Sequence, residues 1–128
     1  MSKESEFIDK YSFGGNLATV DENGKPRVRG FGLMKREDKS LIFATSNKKA
    51  VYRQLKANPY AEWIVSSEEH STLRISGDVV FDDDPAVKEE VLNLIPLVRK
   101  MYTGREDEFA VFYLENLEYK WFHLKPKQ

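Results

Sequence analysis

The fold is decided by the stretch Leu17-Ala-Thr-Val-Asp-Glu-Asn-Gly-Lys-Pro-Arg-Val-Arg-Gly-Phe-Gly-Leu33, in which two extended runs flank Asn23-Gly24. Asn-Gly between such runs predicts a β-hairpin with a two-residue turn, because both positions of a type I′ turn need a positive φ. A two-residue turn would place Val20 opposite Arg27. Arg27 and Arg29 are two residues apart in a strand, so they share one face of the hairpin.

The rest of the chain predicts further strands and helices around this hairpin. Alternating or apolar runs predict strands at 41–46, 60–67, 72–82, 109–114 and 117–124, with the last two joined as a hairpin at Glu115-Asn116. Helical spacing predicts helices at 3–11, at 48–57 and from Pro85 to Met101, with a break near Pro96. Six or seven strands with interposed helices favour a small antiparallel barrel, whose closure removes exposed sheet edges.

The composition excludes several classes of site. The chain of 128 residues has no cysteine, which rules out disulfide scaffolds, thiolate metal sites and cysteine nucleophiles, and its 2 histidines are too few for a histidine-rich metal site. No apolar run approaches the ~18 residues that span a bilayer, and the charged N-terminus lacks the apolar stretch of a signal peptide. We therefore expect one domain over residues 1–128, in the cytoplasm, with no metal and no membrane partner.

The charge of the chain is unevenly distributed. Between Lys25 and Lys56 there are ten Lys or Arg residues and two acidic ones, although the net charge of the whole chain is −1. The excess is therefore +8 in this stretch and −9 in the remainder. Concentrated like charge favours a partner of opposite sign, which predicts an anion site in this part of the chain.

A second basic pair lies at the start of a predicted helix. Thr45-Ser46-Asn47 precedes Lys48-Lys49, and Ser46 or Asn47 is expected to cap the helix. Lysine in a first helical turn has the wrong sign for the helix dipole, whereas a bound anion would reverse that penalty. Together with Arg27 and Arg29, which can contact phosphate in a bidentate manner, the pair predicts one phosphate site.

Three blocks of this sequence, in order and spacing, resemble the pyridoxamine 5′-phosphate oxidase-like proteins, which are FMN-binding split β-barrels. The blocks span 17–31, 41–50 and 54–59, and the similarity extends from about Phe7 to His123. The resemblance implies a mainly β fold with flanking helices, built as a six- to seven-stranded antiparallel split β-barrel. It also implies FMN as the cofactor and a homodimer with FMN in clefts between the subunits.

The resemblance further implies roles for individual residues. Arg29 matches the strand arginine that contacts the FMN phosphate, and the backbone from Gly30 to Phe31 would follow the isoalloxazine edge. The other matches are Thr45 and Ser46 around the ribityl chain and phosphate, Lys48 and Lys49 on the phosphate, and, more loosely, Thr72 and Trp121, which would reach the flavin in the dimer.

The implied function is an FMN-dependent oxidoreductase with a small-molecule substrate or electron donor. Met34 stands where true pyridoxamine phosphate oxidases have a lysine, and their C-terminal substrate-binding Arg and His residues have no recognisable counterpart here. We therefore do not expect pyridoxamine phosphate to be the substrate, and no catalytic side chain is assigned.

Two other functions fit the sequence. A flavin-binding protein of the same fold could hold FMN as a ligand without turnover. A small barrel with a basic stretch and aromatic residues could instead bind single-stranded nucleic acid. Nucleic acid is the less favoured partner, because the charge of −9 outside residues 25–56 would repel a long polyanion.

Overall fold

The hairpin that opens the sheet pairs strand β1 (Asn16–Val20) with strand β2 (Pro26–Gly30) in a computed structural model that describes residues 2–124. The predicted register is wrong, because Arg27 lies opposite Thr19 and not opposite Val20. The connection spans residues 21–25, because Val20 pairs with Pro26. It is not a type I′ turn, because Gly24 has a positive φ of 79° and Asn23 does not. Asp21 closes this loop by accepting hydrogen bonds from the amides of Asn23 and Lys25.

Seven antiparallel strands form one sheet in the order β2-β1-β5-β6-β7-β4-β3. The bounds of the remaining strands are Lys35–Arg36 for β3, Leu41–Ser46 for β4, Tyr60–Ser66 for β5, Ser71–Asp82 for β6 and Phe109–His123 for β7. The predicted fold class is confirmed: the protein is mainly β, with helices flanking a seven-stranded antiparallel sheet.

Within residues 2–124, four α-helices flank the sheet, at Lys3–Tyr11 (α1), Ala50–Ala57 (α2), Pro85–Leu92 (α3) and Pro96–Met101 (α4). The sequence explains where α3 begins, because the Asp84 carboxylate accepts a hydrogen bond from the amide of Ala86 and Pro85 occupies the first helical position. Pro96 then starts α4 as a separate helix, because its ring cannot continue a helical hydrogen-bond pattern.

The C-terminal strand is continuous, so the predicted final hairpin at Glu115-Asn116 is wrong. Both halves of β7 pair with β6, whose Gly77 lies opposite two residues of β7. Asn116 has a φ of 54°, the left-handed conformation that marks the extra residue of a β-bulge. A polar pair that indicates a turn in the sequence therefore bends this strand without reversing it.

Two hydrophobic clusters hold the sheet and helices together. The larger lies inside the curved sheet, where the fully buried Trp63, Phe43 and Phe112 pack on one another and on the half-buried ring of Phe31. The smaller lies between β7 and the pair α3–α4, around Tyr102 and Phe109. Val51 and Leu55 join α2 to the larger cluster, and Val98 packs α4 against the smaller one.

Candidate functional site

The start of α2 lies between two concave regions of the surface. The first is a cavity of about 360 Å³ that four of the predicted site residues line: Gly30, Phe31, Thr45 and Lys49. Most of its remaining wall is apolar, and α4 with the residues that flank it contributes Ile95, Val98, Met101 and Tyr102. The second is an open groove of about 700 Å³ beside the β1–β2 hairpin, which Arg27, Arg29 and Arg53 line.

Thr45 brings an unsatisfied polar group to the cavity. Thr45 is 5% exposed, and its Oγ1 has no hydrogen-bond partner within residues 2–124. Leaving a buried hydroxyl unpaired costs about 1–3 kcal/mol, which a ligand that hydrogen-bonds to it would recover. The position of Thr45 at the end of β4, on the cavity wall, suits a polar ligand at this point.

The two lysines precede α2 and are not in its first turn, so the predicted start of this helix at Lys48 is wrong. Lys49 is the residue at the N-cap position, and no side chain caps the helix. The Ser46 hydroxyl accepts a hydrogen bond from the amide of Lys48 at 3.1 Å, which tightens the turn and ends β4 before the helix begins. The basic pair therefore lies at an uncapped helix start, where backbone N–H groups and cationic side chains both favour an anion.

Arg29 is half-buried, and neutral acceptors hold its guanidinium. Nη1 donates to the Leu17 carbonyl at 3.1 Å and to Thr19 Oγ1 at 2.8 Å, and Nη2 donates to Gln54 Oε1 at 2.7 Å. Burial lowers the pKa of Arg29 from its ordinary value, yet a guanidinium keeps its charge in proteins. Arg29 is thus a cation with no carboxylate partner among the described residues.

Arg27 differs from Arg29 although both face the same groove. Its Nε donates to Asp21 Oδ2 at 3.0 Å, which makes an ion pair inside the hairpin loop. Because Asp21 already neutralises part of its charge, Arg27 is less available to an external anion than Arg29 is. Arg27 and Arg29 have the same position in the sequence pattern, but among the described residues only Arg27 has a carboxylate partner.

The backbone after β2 forms one wall of the cavity. The amide of Phe31 donates to the Gly15 carbonyl at 2.8 Å, and the Phe31 carbonyl accepts from Trp63 Nε1 at 2.9 Å. Both hydrogen bonds fix the course of the chain from Gly30 to Phe31 against the core. The position of this segment on the cavity wall is consistent with its predicted role beside a flat ring.

Thr72 and Trp121 lie away from the cavity within one chain. Trp121 packs edge-on against Phe7 of α1 and donates from Nε1 to Glu4 Oε2 at 2.8 Å. Thr72 pairs with Phe122 between β6 and β7. Their predicted contact with a flavin requires a second subunit and stays a prediction.

Sequence reasoning missed Gln54, Thr19 and Arg53 as residues of this region. The signal for Gln54 was its place on the apolar face of α2, where it is 7% exposed beside the buried Val51 and Leu55. A polar residue on the buried face of a helix needs a hydrogen-bond partner. Arg53 lines the same groove as Arg29, but nothing in the sequence distinguished it from other surface charges.

Two further observations concern metals and membranes. Within residues 2–124, no three His, Asp or Glu side chains come together in a way that could hold a metal ion. None of the helices in the same residues has the length and apolar character that crossing a membrane demands.

Comparisons with known proteins agree with the family resemblance of the sequence. A family model described as pyridoxamine 5′-phosphate oxidase matches residues 5–116. A NimC/NimA family protein from Clostridium acetobutylicum is 31% identical, with a TM-score of 0.83 over 98% of this chain and 87% of that chain. No curated protein matches this chain.

Two solved structures with lower identity share the fold. An FMN-binding protein from Nostoc punctiforme, related to pyridoxamine 5′-phosphate oxidase, is 19% identical, with a TM-score of 0.72 over 96% of this chain and 95% of that chain. An F420 reductase is 19% identical, with a TM-score of 0.72 over 94% of this chain and 98% of that chain. From the family match over most of its length, this chain belongs to the pyridoxamine 5′-phosphate oxidase family.

Proposed function

We propose that this protein is an FMN-binding, flavin-dependent oxidoreductase that acts as a homodimer. The observation that carries the proposal is the combination, around the start of α2 and the two concave regions beside it, of an unsatisfied hydroxyl, an uncapped helix start and cations without ion-pair partners. Thr45 supplies the hydroxyl, Lys48 and Lys49 lie at the helix start, and Arg29 is a half-buried cation in the neighbouring groove. These groups suit a ligand with a polar chain and a terminal phosphate.

Each part of FMN has a counterpart among these residues. Lys48, Lys49 and Arg29 would neutralise the phosphate, and Thr45 would hydrogen-bond to the ribityl chain or to the phosphate. The Ser46 hydroxyl is engaged with the amide of Lys48, so its contribution is to shape the turn that presents the lysines. The backbone at Gly30 and Phe31 would lie along the ring edge.

The apolar wall from α4 completes the fit. Val98 and Tyr102 line the cavity and belong to the hydrophobic cluster between β7 and α3–α4, which keeps this wall in place. Apolar walls exclude water from a flat ring and strengthen hydrogen bonds at its edge. Bound FMN would supply the hydride or electron transfer, and the protein would supply binding and orientation.

Few side chains that line the cavity could donate or accept a proton during a reaction. Among the described residues that line the cavity, Lys49 and Tyr102 are the ionisable ones. Burial raises the pKa of Tyr102 above its ordinary value, so this phenol stays protonated at neutral pH and does not serve as a base there. Because so few side chains could serve as acid or base, a flavin-binding protein without turnover is the second candidate function.

The substrate is expected to differ from pyridoxamine phosphate. Met34 lines the cavity at the position where the resemblance places a lysine in the true oxidases. A thioether gives no charge to a substrate phosphate. A cytoplasmic location and a single domain over residues 1–128 remain predictions from the sequence.

The decisive experiment is reconstitution of the purified protein with FMN. We expect a bound flavin absorption band after gel filtration and an increase in Tm with FMN concentration, because a ligand that binds only the folded state stabilises it. F420 is titrated in parallel, since one structural neighbour is an F420 reductase. No flavin band and no change in Tm would refute the proposal, and a stronger response to F420 would replace FMN as the cofactor.

A double variant tests the phosphate contacts. Lys48→Ala combined with Lys49→Ala should weaken FMN binding by about tenfold or more, because two charge-assisted contacts to phosphate are lost. Riboflavin, which has no phosphate, should bind the variant as it binds the wild type. An equal loss for both ligands would place the lysines away from the phosphate.

Turnover and nucleic-acid binding are tested separately. Oxidation of NADH or NADPH by the FMN-loaded protein would favour the oxidoreductase, and its absence with all acceptors tried would favour a non-enzymatic flavin protein. An oligonucleotide affinity that falls steeply with salt would instead support a nucleic-acid-binding barrel.

A further inference from the structure

We propose that Thr19 and Gln54 are positioning residues that hold one edge of the Arg29 guanidinium so that its other edge is presented to a phosphate. The inference rests on the proposed function, because it assigns the orientation of Arg29 to two residues that would not themselves touch the ligand. Both lie inside the molecule, with Thr19 3% exposed and Gln54 7% exposed.

The three side chains form a closed set of hydrogen bonds. Arg29 donates from Nη1 to Thr19 Oγ1 at 2.8 Å and from Nη2 to Gln54 Oε1 at 2.7 Å. Thr19 Oγ1 then donates to the same Gln54 Oε1 at 2.6 Å. The Leu17 carbonyl accepts a further bond from Nη1 at 3.1 Å. The Nη1–Nη2 edge of the guanidinium is therefore fully engaged by neutral acceptors.

The opposite edge of the guanidinium has no partner in the described part of the chain. A guanidinium carries five N–H donors in a planar fork, and the bonds above use Nη1 and one N–H of Nη2. The Nε–H and the second N–H of Nη2 remain. Two parallel N–H groups of this kind are the donor pair that binds a phosphate in a bidentate manner. Arg29 also lines the open groove, so an anion in solution can reach it.

The choice of neutral acceptors supports a role in binding. Arg27, two residues away on the same face, is paired with the Asp21 carboxylate. A carboxylate at the position of Gln54 would satisfy Arg29 equally well but would cancel its charge and repel a phosphate. A neutral cradle fixes the direction of the guanidinium and leaves the positive charge for the ligand.

Gln54 also ties this orientation to the helix that begins with the lysines. It lies on α2 between Val51 and Leu55, which are 5% and 0% exposed and anchor the helix in the core. The same short helix therefore carries the uncapped start at Lys49 and the acceptor that aims Arg29. The helix therefore fixes the position of Lys49 relative to the Arg29 guanidinium.

The test compares FMN with riboflavin in variants of the positioning pair. Gln54→Leu and Thr19→Val remove the acceptors with little change in volume, and each should weaken FMN binding by about tenfold, because an unaimed guanidinium loses a charge-assisted hydrogen bond. Riboflavin affinity should stay unchanged in both. Gln54→Glu is the matched variant: it keeps an acceptor, so Arg29 stays ordered while FMN binding at neutral pH still falls.

A second readout does not depend on flavin. The Arg29 Nε–H resonance, assigned by its loss in Arg29→Lys, should shift when inorganic phosphate is added to the wild type and should be broadened and unresponsive in Gln54→Leu. If the wild type fails to bind FMN while this response to phosphate is present, the proposed function fails and the positioning role stands. An equal loss of FMN and riboflavin affinity, or an unchanged Nε–H response in folded Gln54→Leu, would overturn the positioning role.

Discussion

At the scale of single residues, the partner of each arginine decides what the arginine can do. The Asp21 carboxylate is 8% exposed and accepts from two backbone amides as well as from Arg27 Nε, so it closes the β1–β2 loop from within. Arg29 has neutral acceptors and keeps its full charge for an external anion. Two arginines on one strand face thus differ in whether a carboxylate neutralises their charge.

Asp21 makes the stability of the hairpin dependent on pH. The hydrogen bond from the amide of Lys25, followed by those from Asn23 and Arg27, lowers the pKa of this carboxyl below its ordinary value. A carboxyl with a lowered pKa in the folded state stabilises the fold above its unfolded pKa of about 3.9, and this contribution disappears as the pH falls through the folded value. Asp21→Asn should therefore lower Tm near neutral pH, and the difference from wild type should shrink below about pH 4.

The control for this prediction is the neighbouring acid Glu22, which is exposed and has no hydrogen bond or ion pair in the described structure. Glu22→Gln should leave Tm close to wild type across the same pH range, because surface substitutions of this kind change stability by about 0.5 kcal/mol or less. A difference between wild type and Asp21→Asn that stays constant down to pH 2 would contradict the role of the Asp21 charge.

At the scale of elements, breaks in regular structure are the features that build the site. The start of α2 has no side-chain cap and lies at Lys49 on the cavity wall, and the break between α3 and α4 lets Val98 and Met101 of α4 contribute to the apolar wall. The bulge in β7 bends this strand so that it pairs with β6 along nearly its whole length and still reaches β4.

Gly77 is the residue of β6 that the bulge requires. A Cβ at this position would lie 2.4 Å from the carbonyl oxygen of Glu115, so either the backbone must move or the bulge must be lost. We expect Gly77→Ala to lower the free energy of unfolding by about 1–3 kcal/mol, the usual cost of overpacking. Urea denaturation followed by circular dichroism measures this change.

Gly14→Ala is the matched control, because no atom lies within 4 Å of a Cβ placed there and Gly14 has no positive φ. Its effect should be neutral or slightly stabilising, since alanine restricts the unfolded chain. Equal destabilisation by both substitutions would mean that the close approach to β7 has no energetic importance.

At the scale of the whole molecule, the cavity is open on the side where the chain exposes apolar groups. Phe13 lines it with 99% of its surface exposed, and Met101 is 55% exposed. A large apolar side chain left in water at the edge of a site is typical of a surface that another molecule covers. The homodimer predicted from the family resemblance would cover this edge with a second copy of the chain.

Phe13 offers a test of this arrangement. Phe13→Asp should shift the protein towards monomer in analytical ultracentrifugation and weaken FMN binding, because a carboxylate is costly to bury at an apolar interface. Phe13→Tyr keeps the ring and should retain both properties. A wild type that is monomeric at all concentrations and still binds FMN tightly would refute the dimeric site.

Much of the fold could be read from the sequence because local signals and the final structure agree there. The bounds of β4, the cap and proline at the start of α3, and the helix at 3–11 follow from alternation, capping chemistry and helical spacing. The register of the first hairpin and the final strand could not be read in this way. Asn-Gly and Glu-Asn have turn propensity in isolation, and pairing with distant strands decides whether that propensity produces a turn, a longer loop or a bulge.

The class of fold, the family and the concentration of positive charge between Lys25 and Lys56 all follow from the amino-acid sequence. Which of those charges have a carboxylate partner depends on the folded chain, because ion pairs and hydrogen bonds join residues far apart in the sequence. Asp21 neutralises Arg27, whereas Gln54, 25 positions after Arg29, holds that guanidinium without neutralising it. Charge is a property of composition, but its availability to a ligand depends on three-dimensional contacts.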